Sequence, residues 1–90
     1  MVMYEIFYTT QAMKQIKNYL KNSPLKDKTK KLIEIIKVNP YQTPPPYEKL
    51  FFGSQKCYSR RINVQHRLVY EVFEEQKSIK ILSVWTHYEF

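Results

Sequence analysis

The sequence predicts an α+β fold in the order β-α-α-β-β-β, an antiparallel sheet with a helical hairpin laid over one face. Three observations predict it. The opening segment alternates like a strand, two stretches with helical spacing of apolar residues flank "NSP", and the last third holds three β-rich runs parted only by short polar connections.

In "MVMYEIFYT", Val2, Tyr4, Ile6 and Tyr8 alternate with Met3, Glu5, Phe7 and Thr9, a β-branched and aromatic pattern that predicts a first strand over residues 3–8. Thr10 follows as a helix cap, and Met13, Ile16 and Leu20, with Ala12 and Tyr19 beside them, form the apolar stripe of a first helix. Lys14, Lys17 and Lys21 then face solvent. Ser23 suits a second N-cap and Pro24 a first helical position, and a helix over residues 26–38 carries Leu25, Leu32, Ile33 and Ile36 on one side. "NPYQTPPPYEKL" cannot prolong that helix, because Pro40 and Pro44 to Pro46 lack amide donors; it reads as a stiff crossing loop.

"KCYSRRI", "HRLVYEVF" and "IKILSVW" then form an antiparallel meander. With a three-residue connection at 63–65, Ile62 pairs with His66, Arg61 with Arg67 and Tyr58 with Tyr70. Tyr58, Ile62, Leu68, Tyr70 and Val72 then share the helix-covered face, while Arg61 and Arg67 face outward together. Two arginines directly opposite each other repel, and an anion between them resolves the repulsion.

Ninety residues fit one domain, residues 1–90. A single glycine excludes Gly-rich phosphate loops and hands left-handed turn positions to Asn and similar residues. One cysteine, Cys57, excludes an internal disulfide and a multi-cysteine zinc site, which suits a reducing cytoplasm. No apolar run reaches the ~20 residues of a membrane span, and the start has no export-signal pattern, so neither anchor nor membrane partner is expected. The net charge of +7 is uneven: residues 14–37 hold eight lysines against Asp27 and Glu34, and residues 49–67 hold five cations and no acid. Two basic patches of this kind attract polyanions.

RNA cleavage by internal attack needs a base for the 2′-hydroxyl proton, cations for the crowded phosphorane and an acid for the departing 5′-oxygen. Glu48 is the candidate base, Arg61 and Arg67 are the cations, and His87 is the acid, with Tyr88 able to stack on a splayed base or support proton transfer. Lys49 and Arg60, their sequence neighbours, join Arg61 as candidate phosphate contacts, and His66 is a second-choice acid that more plainly caps backbone or packs. No metal or cofactor is called for. Each residue also has a plainer reading: a solvated loop glutamate, surface arginines, an incidental terminal histidine.

"YEKL", "YSRRINVQHRLVYEV" and the closing "THY", in that order, resemble the YoeB/Txe toxins of bacterial toxin-antitoxin systems, within the RelE/ParE superfamily. The resemblance covers residues 47–88 well, and the segment before them only in pattern. It implies the microbial-ribonuclease-like fold of RelE and a metal-independent endoribonuclease that cuts messenger RNA in the ribosomal A site, leaving a 2′,3′-cyclic or 3′-phosphate and a 5′-hydroxyl. It assigns Glu48 as base, Arg61 and Arg67 to phosphate and transition-state stabilisation, His87 as acid and Tyr88 to stacking. It also implies a YefM-like antitoxin whose acidic segment folds over the basic site, contacts of the lysine-rich helices with the 16S RNA of the 70S ribosome, and leaves a homodimer open. Glu89 and Phe90 extend past the His-Tyr pair at which such chains commonly finish. The competing reading is a non-catalytic ParE-like toxin or a basic RNA- or protein-binding module.

Overall fold

The computed structural model describes residues 3–52 and 55–85. Strand β1 (Glu5–Tyr8) leads to helix α1 (Thr10–Gln15), which runs on into one π-helical turn (Ile16–Leu20), and then to helix α2 (Lys26–Val38). Strands β2 (Glu48–Phe52), β3 (Gln55–Arg61), β4 (Arg67–Phe73) and β5 (Ser78–Ser83) complete one sheet in the order β1-β5-β4-β3-β2. The α+β class and the three-run meander stand as expected. Two features differ.

First, "EKLFF" is a strand, not the end of the crossing loop. It pairs antiparallel with β3, Glu48 opposite Ser59 and Leu50 opposite Cys57. Its Leu and Phe residues fit a pleated surface, and the prolines before it end where the ladder begins. Second, the sheet is mixed. β1 lies parallel to β5, with Ile6 beside Ile79, because three successive antiparallel pairings leave the outer edge of β5 for the first strand. The helical pair supplies the long crossover that a parallel pairing requires.

Helix α1 is capped one residue earlier than expected: the Thr9 hydroxyl accepts from the Ala12 amide at 3.1 Å. Ala12, Gln15 and Leu20 turn inward with Ile16 partly buried between them, whereas Met13 and Tyr19 are exposed: the inward stripe keeps helical spacing but starts from Ala12 rather than from Met13. Gln15 is useful in that position. Its amide oxygen accepts from the Val84 amide at 2.8 Å and the Ser83 hydroxyl at 3.1 Å. Helix α2 is capped two residues later than expected: Leu25 is its N-cap, without a side-chain cap bond. Ser23 and Pro24 lie in the turn before it, where the Ser23 hydroxyl accepts from the Leu25 amide, and the helix buries Thr29, Leu32 and Ile36.

The main core lies between helices and sheet. Tyr58, Ile62, Leu68, Tyr70, Ile79 and Ile81 meet Leu20, Leu32 and Ile36 there. The opposite face carries a smaller cluster of Cys57, Val69 and Leu82, with Leu50 against it. Burial pushes the Cys57 thiol up to about 11, helped by the Glu71 charge, which leaves it a protonated packing group. Among the described residues, no helix is long and apolar enough to cross a membrane.

Candidate functional site

The turn between β3 and β4 sets the site. Ile62 and Asn63 amides both donate to the His66 carbonyl, and the Asn63 side-chain oxygen accepts from the Gln65 and His66 amides at 2.9 and 2.6 Å. Asn63 thus folds the connection onto itself, in the manner of an Asx turn. The consequence is the expected register: Arg61 stands opposite Arg67, Ser59 opposite Val69 and Tyr58 opposite Tyr70.

Paired residues share a face, so Glu48, Ser59, Arg61 and Arg67 project from the side of the sheet away from the helices. Together with Pro46 and Tyr47 they line an open groove of about 290 Å³. The Glu48 carboxylate lies 3.6 Å from the Arg67 guanidinium, and the Glu48 side chain remains 66% exposed against 22% for Arg67. A pair at that separation with its carboxylate in solvent exchanges partners at little cost. Among the described residues, Arg61 pairs with no carboxylate, so the groove holds more cation than anion. Ser59 is buried at its floor, and its hydroxyl has no hydrogen-bond partner among the described residues.

Two expected phosphate contacts are corrected. Lys49 pairs with Tyr58 and therefore turns to the face opposite Glu48; alternation along β2 separates the two neighbours. Arg60 is fully buried on the helix-covered face, where its guanidinium donates to the Tyr70 hydroxyl at 3.0 Å, the Pro40 carbonyl at 3.1 Å and the Pro45 carbonyl. No phosphate reaches it there. Burial drives the Tyr70 phenol up to about 12 despite the nearby Arg60 charge.

His66, the second-choice acid, packs instead. It is buried, and its ring stacks on Trp85 with centroids 4.1 Å apart, while Tyr19 stacks on Trp85 at 5.6 Å. His87 and Tyr88 lie outside the described residues. Ser59 and Tyr47 are the groove residues that the motif reading passed over. Counting back two from Arg61 in "YSRRI" points to Ser59, since alternate residues share a face.

The most perturbed carboxylate sits elsewhere. Glu74, in the β4–β5 turn, accepts from Tyr41 at 2.6 Å, Tyr4 at 2.8 Å and Lys77 at 2.9 Å. Those donors hold its carboxyl down to about 2. It ties the proline loop and the start of β1 to the hairpin. The lysines of both helices, Lys14, Lys17, Lys21, Lys26, Lys28, Lys30 and Lys31, are exposed on the helical layer, the side of the sheet away from the groove.

Comparison with known proteins narrows what this groove belongs to. The model of a family described as the YoeB-like toxin of bacterial type II toxin-antitoxin systems matches residues 8–88. A solved YoeB-YefM complex from Staphylococcus aureus is 34% identical, with 94% of this chain and 98% of that chain covered and a TM-score of 0.77. A YoeB dimer from the same organism matches equally well. A YoeB/ParE toxin from Agrobacterium tumefaciens has the same fold at 22% identity, with a TM-score of 0.82 over 93% of this chain and 99% of that one. No curated protein sequence matches the chain.

Proposed function

Since the chain belongs to the YoeB-like toxins of bacterial type II toxin-antitoxin systems, we propose that it is an endoribonuclease, one domain over residues 1–90, that cuts messenger RNA in the ribosomal A site and so stops translation. The observation that carries this reading is the in-register Arg61–Arg67 pair with the Glu48 carboxylate 3.6 Å from Arg67 in the same groove.

A scissile phosphate in the groove gives both guanidiniums an oxygen to bind, and Arg67 exchanges Glu48 for it. Glu48, released and hydrated, takes the proton of the 2′-hydroxyl. The 2′-oxygen then bonds to phosphorus, the bond to the 5′-oxygen breaks, and His87 gives that oxygen a proton. The products are a 2′,3′-cyclic phosphate and a 5′-hydroxyl, and base, cations and acid all come from side chains. The role of His87 rests on the resemblance of the closing "THY" to the family, and Trp85, two residues before it in sequence, stacks on the rings of Tyr19 and His66. Tyr88 is assigned to stacking on the splayed base.

The partner assigned to the basic groove is an antitoxin of the YefM kind, as in the staphylococcal complex, and self-association follows the staphylococcal dimer. The exposed lysines of the helices are assigned to ribosomal RNA. A protein working in this way is cytoplasmic.

Primer extension on a message translated in a purified system tests the reading. Wild-type protein is expected to create new codon-positioned 5′ ends, and Arg67→Ala and His87→Gln to abolish most of them. If wild type creates none, or if both variants cut as wild type does, the nuclease assignment falls and a binding toxin remains.

A further inference from the structure

We propose that Arg60 is a positioning residue for the groove: its buried guanidinium clamps the proline loop that delivers Glu48, and so sets where the Glu48 carboxylate stands relative to Arg61 and Arg67. The functional part of this rests on the RNA-cleaving reading above, whereas the clamp itself rests on geometry.

A permanently charged side chain taken out of water carries a desolvation cost of several kcal/mol, which partners must offset. Arg60 is fully buried, and none of the described carboxylates forms an ion pair with it. Three oxygens receive it instead. Its Nε donates to the Tyr70 hydroxyl at 3.0 Å, one terminal nitrogen donates to the Pro40 carbonyl at 3.1 Å, and the other donates to the Pro45 carbonyl. The Tyr70 hydroxyl donates in turn to the Pro40 carbonyl at 2.8 Å, so two side chains of the β3–β4 ladder converge on one loop oxygen. The Tyr47 ring completes the enclosure, its centroid 5.0 Å from the guanidinium carbon and its edge against Tyr58.

This loop cannot fasten itself to the sheet by the usual route. Pro40, Pro44, Pro45 and Pro46 have no amide hydrogen to donate, and the Tyr41 and Gln42 amides turn back to Asn39. Beside the Tyr41 hydroxyl on Glu74, the proline carbonyls are therefore what the segment offers the sheet, and a rigid planar fork is the side chain that reads two of them at a set spacing. Glu48 begins β2 three residues beyond the second clamped carbonyl. Fixing Pro45 and Tyr47 therefore fixes the entry angle of the strand whose first side chain is the proposed base. A misplacement of about 1 Å in a reacting group costs on the order of a hundredfold in rate, so such a clamp acts on turnover even though it never touches RNA.

Arg60→Lys and Tyr70→Phe test this, with Glu48→Gln as the reference background. Lysine keeps the charge but offers donors around a single nitrogen, so it cannot serve Tyr70, Pro40 and Pro45 together, and Tyr70→Phe removes one arm in case Arg60→Lys does not fold. Three readouts are needed: amide hydrogen exchange at residues 47–50 against residues 67–73, single-turnover cleavage of messenger on ribosomes, and affinity for those ribosomes. Expected are exchange at residues 47–50 faster by about tenfold with residues 67–73 unchanged, cleavage slower by roughly ten- to a hundredfold, and affinity within about threefold of wild type. In the Glu48→Gln background, Arg60→Lys is expected to slow cleavage no further, because both act through one carboxylate. Unchanged exchange in both variants, unchanged cleavage, or a loss that multiplies in full with that of Glu48→Gln overturns the proposal. If wild type itself cuts nothing, the nuclease reading fails, and the exchange measurement still decides whether the clamp exists.

Discussion

Arg60 and Arg61 are consecutive, chemically identical, and separated by the thickness of the sheet. Arg60 faces the helical side, where every arm of its fork meets an oxygen and a tyrosine ring closes over it. Arg61 faces the groove, opposite a second arginine, with no carboxylate paired to it among the described residues. One charge is spent internally on order and the other is left available to a ligand. The same split runs through the whole β3–β4 ribbon. Tyr58 and Tyr70 stack on the covered side with centroids 5.7 Å apart, while Ser59, one residue along, leaves its hydroxyl unmatched on the groove side among the described residues. The contrast lies in the arginines and in the face each occupies, since the buried Thr29 hydroxyl and His66 Nδ1 also lack partners among the described residues, away from the groove.

Substitutions on the two sides should separate stability from activity. The largest effect is expected from Tyr58→Ala, which removes a ring packed against Tyr41, Tyr47 and Tyr70; urea denaturation should show a loss of about 3–5 kcal/mol, near the whole stability of a domain this size. If Tyr58→Ala stays folded and still cuts, the covered side does not have the role given to it. Arg67→Ala on the groove side should do the reverse, lowering cleavage by ~10²-fold or more while the melting temperature holds.

Glu74→Gln probes a third location by pH. The folded carboxyl titrates at about 2, below its ordinary 4.5, so its contribution to stability is fully present above about 4.5 and is lost as pH falls toward 2. Wild type should therefore lose stability over that window, and Glu74→Gln should flatten the slope. A slope identical in both proteins would mean that Tyr4, Tyr41 and Lys77 do not hold the carboxylate in solution. The smallest effect is expected of Lys49→Ala: it stands beside Glu48 in sequence but on the other face, and primer extension should find cleavage within about twofold of wild type.

Much of this division was legible in the sequence, and the reason is alternation. Placing Arg61 opposite Arg67 needed only the length of the 63–65 connection and the demand that Tyr58, Ile62, Leu68 and Tyr70 share a core face. The same rule, applied one residue along, sends Arg60 inward and Lys49 away from Glu48, yet both were grouped by proximity in the chain. "FFGSQK" carried a hairpin signal, two strand-forming aromatics before Gly-Ser, which the proline run ahead of it obscured. The parallel β1–β5 pairing was not legible, since a strand's alternation is the same whichever way its neighbour runs. Among the described non-glycine residues the left-handed turn position went to Lys77, at φ 50°, rather than to an Asn; its amide donates to the Glu74 carbonyl and its ammonium to the Glu74 carboxylate, and those local contacts within the turn outweigh the residue's own preference.

Helix α1 is six residues long, too short to persist by its own hydrogen bonds, and it is pinned at both ends to one strand. Its capping threonine gives its amide to the Ile81 carbonyl and its hydroxyl to the Leu82 carbonyl, and one turn and a half later Gln15 receives Ser83 and Val84. Helix and strand are thereby indexed to each other like two rulers sharing a zero. The lysine-bearing layer cannot slide over the sheet without breaking the bonds that Thr9 and Gln15 make to Ile81, Leu82, Ser83 and Val84, so whatever grips the helices also grips the end of β5.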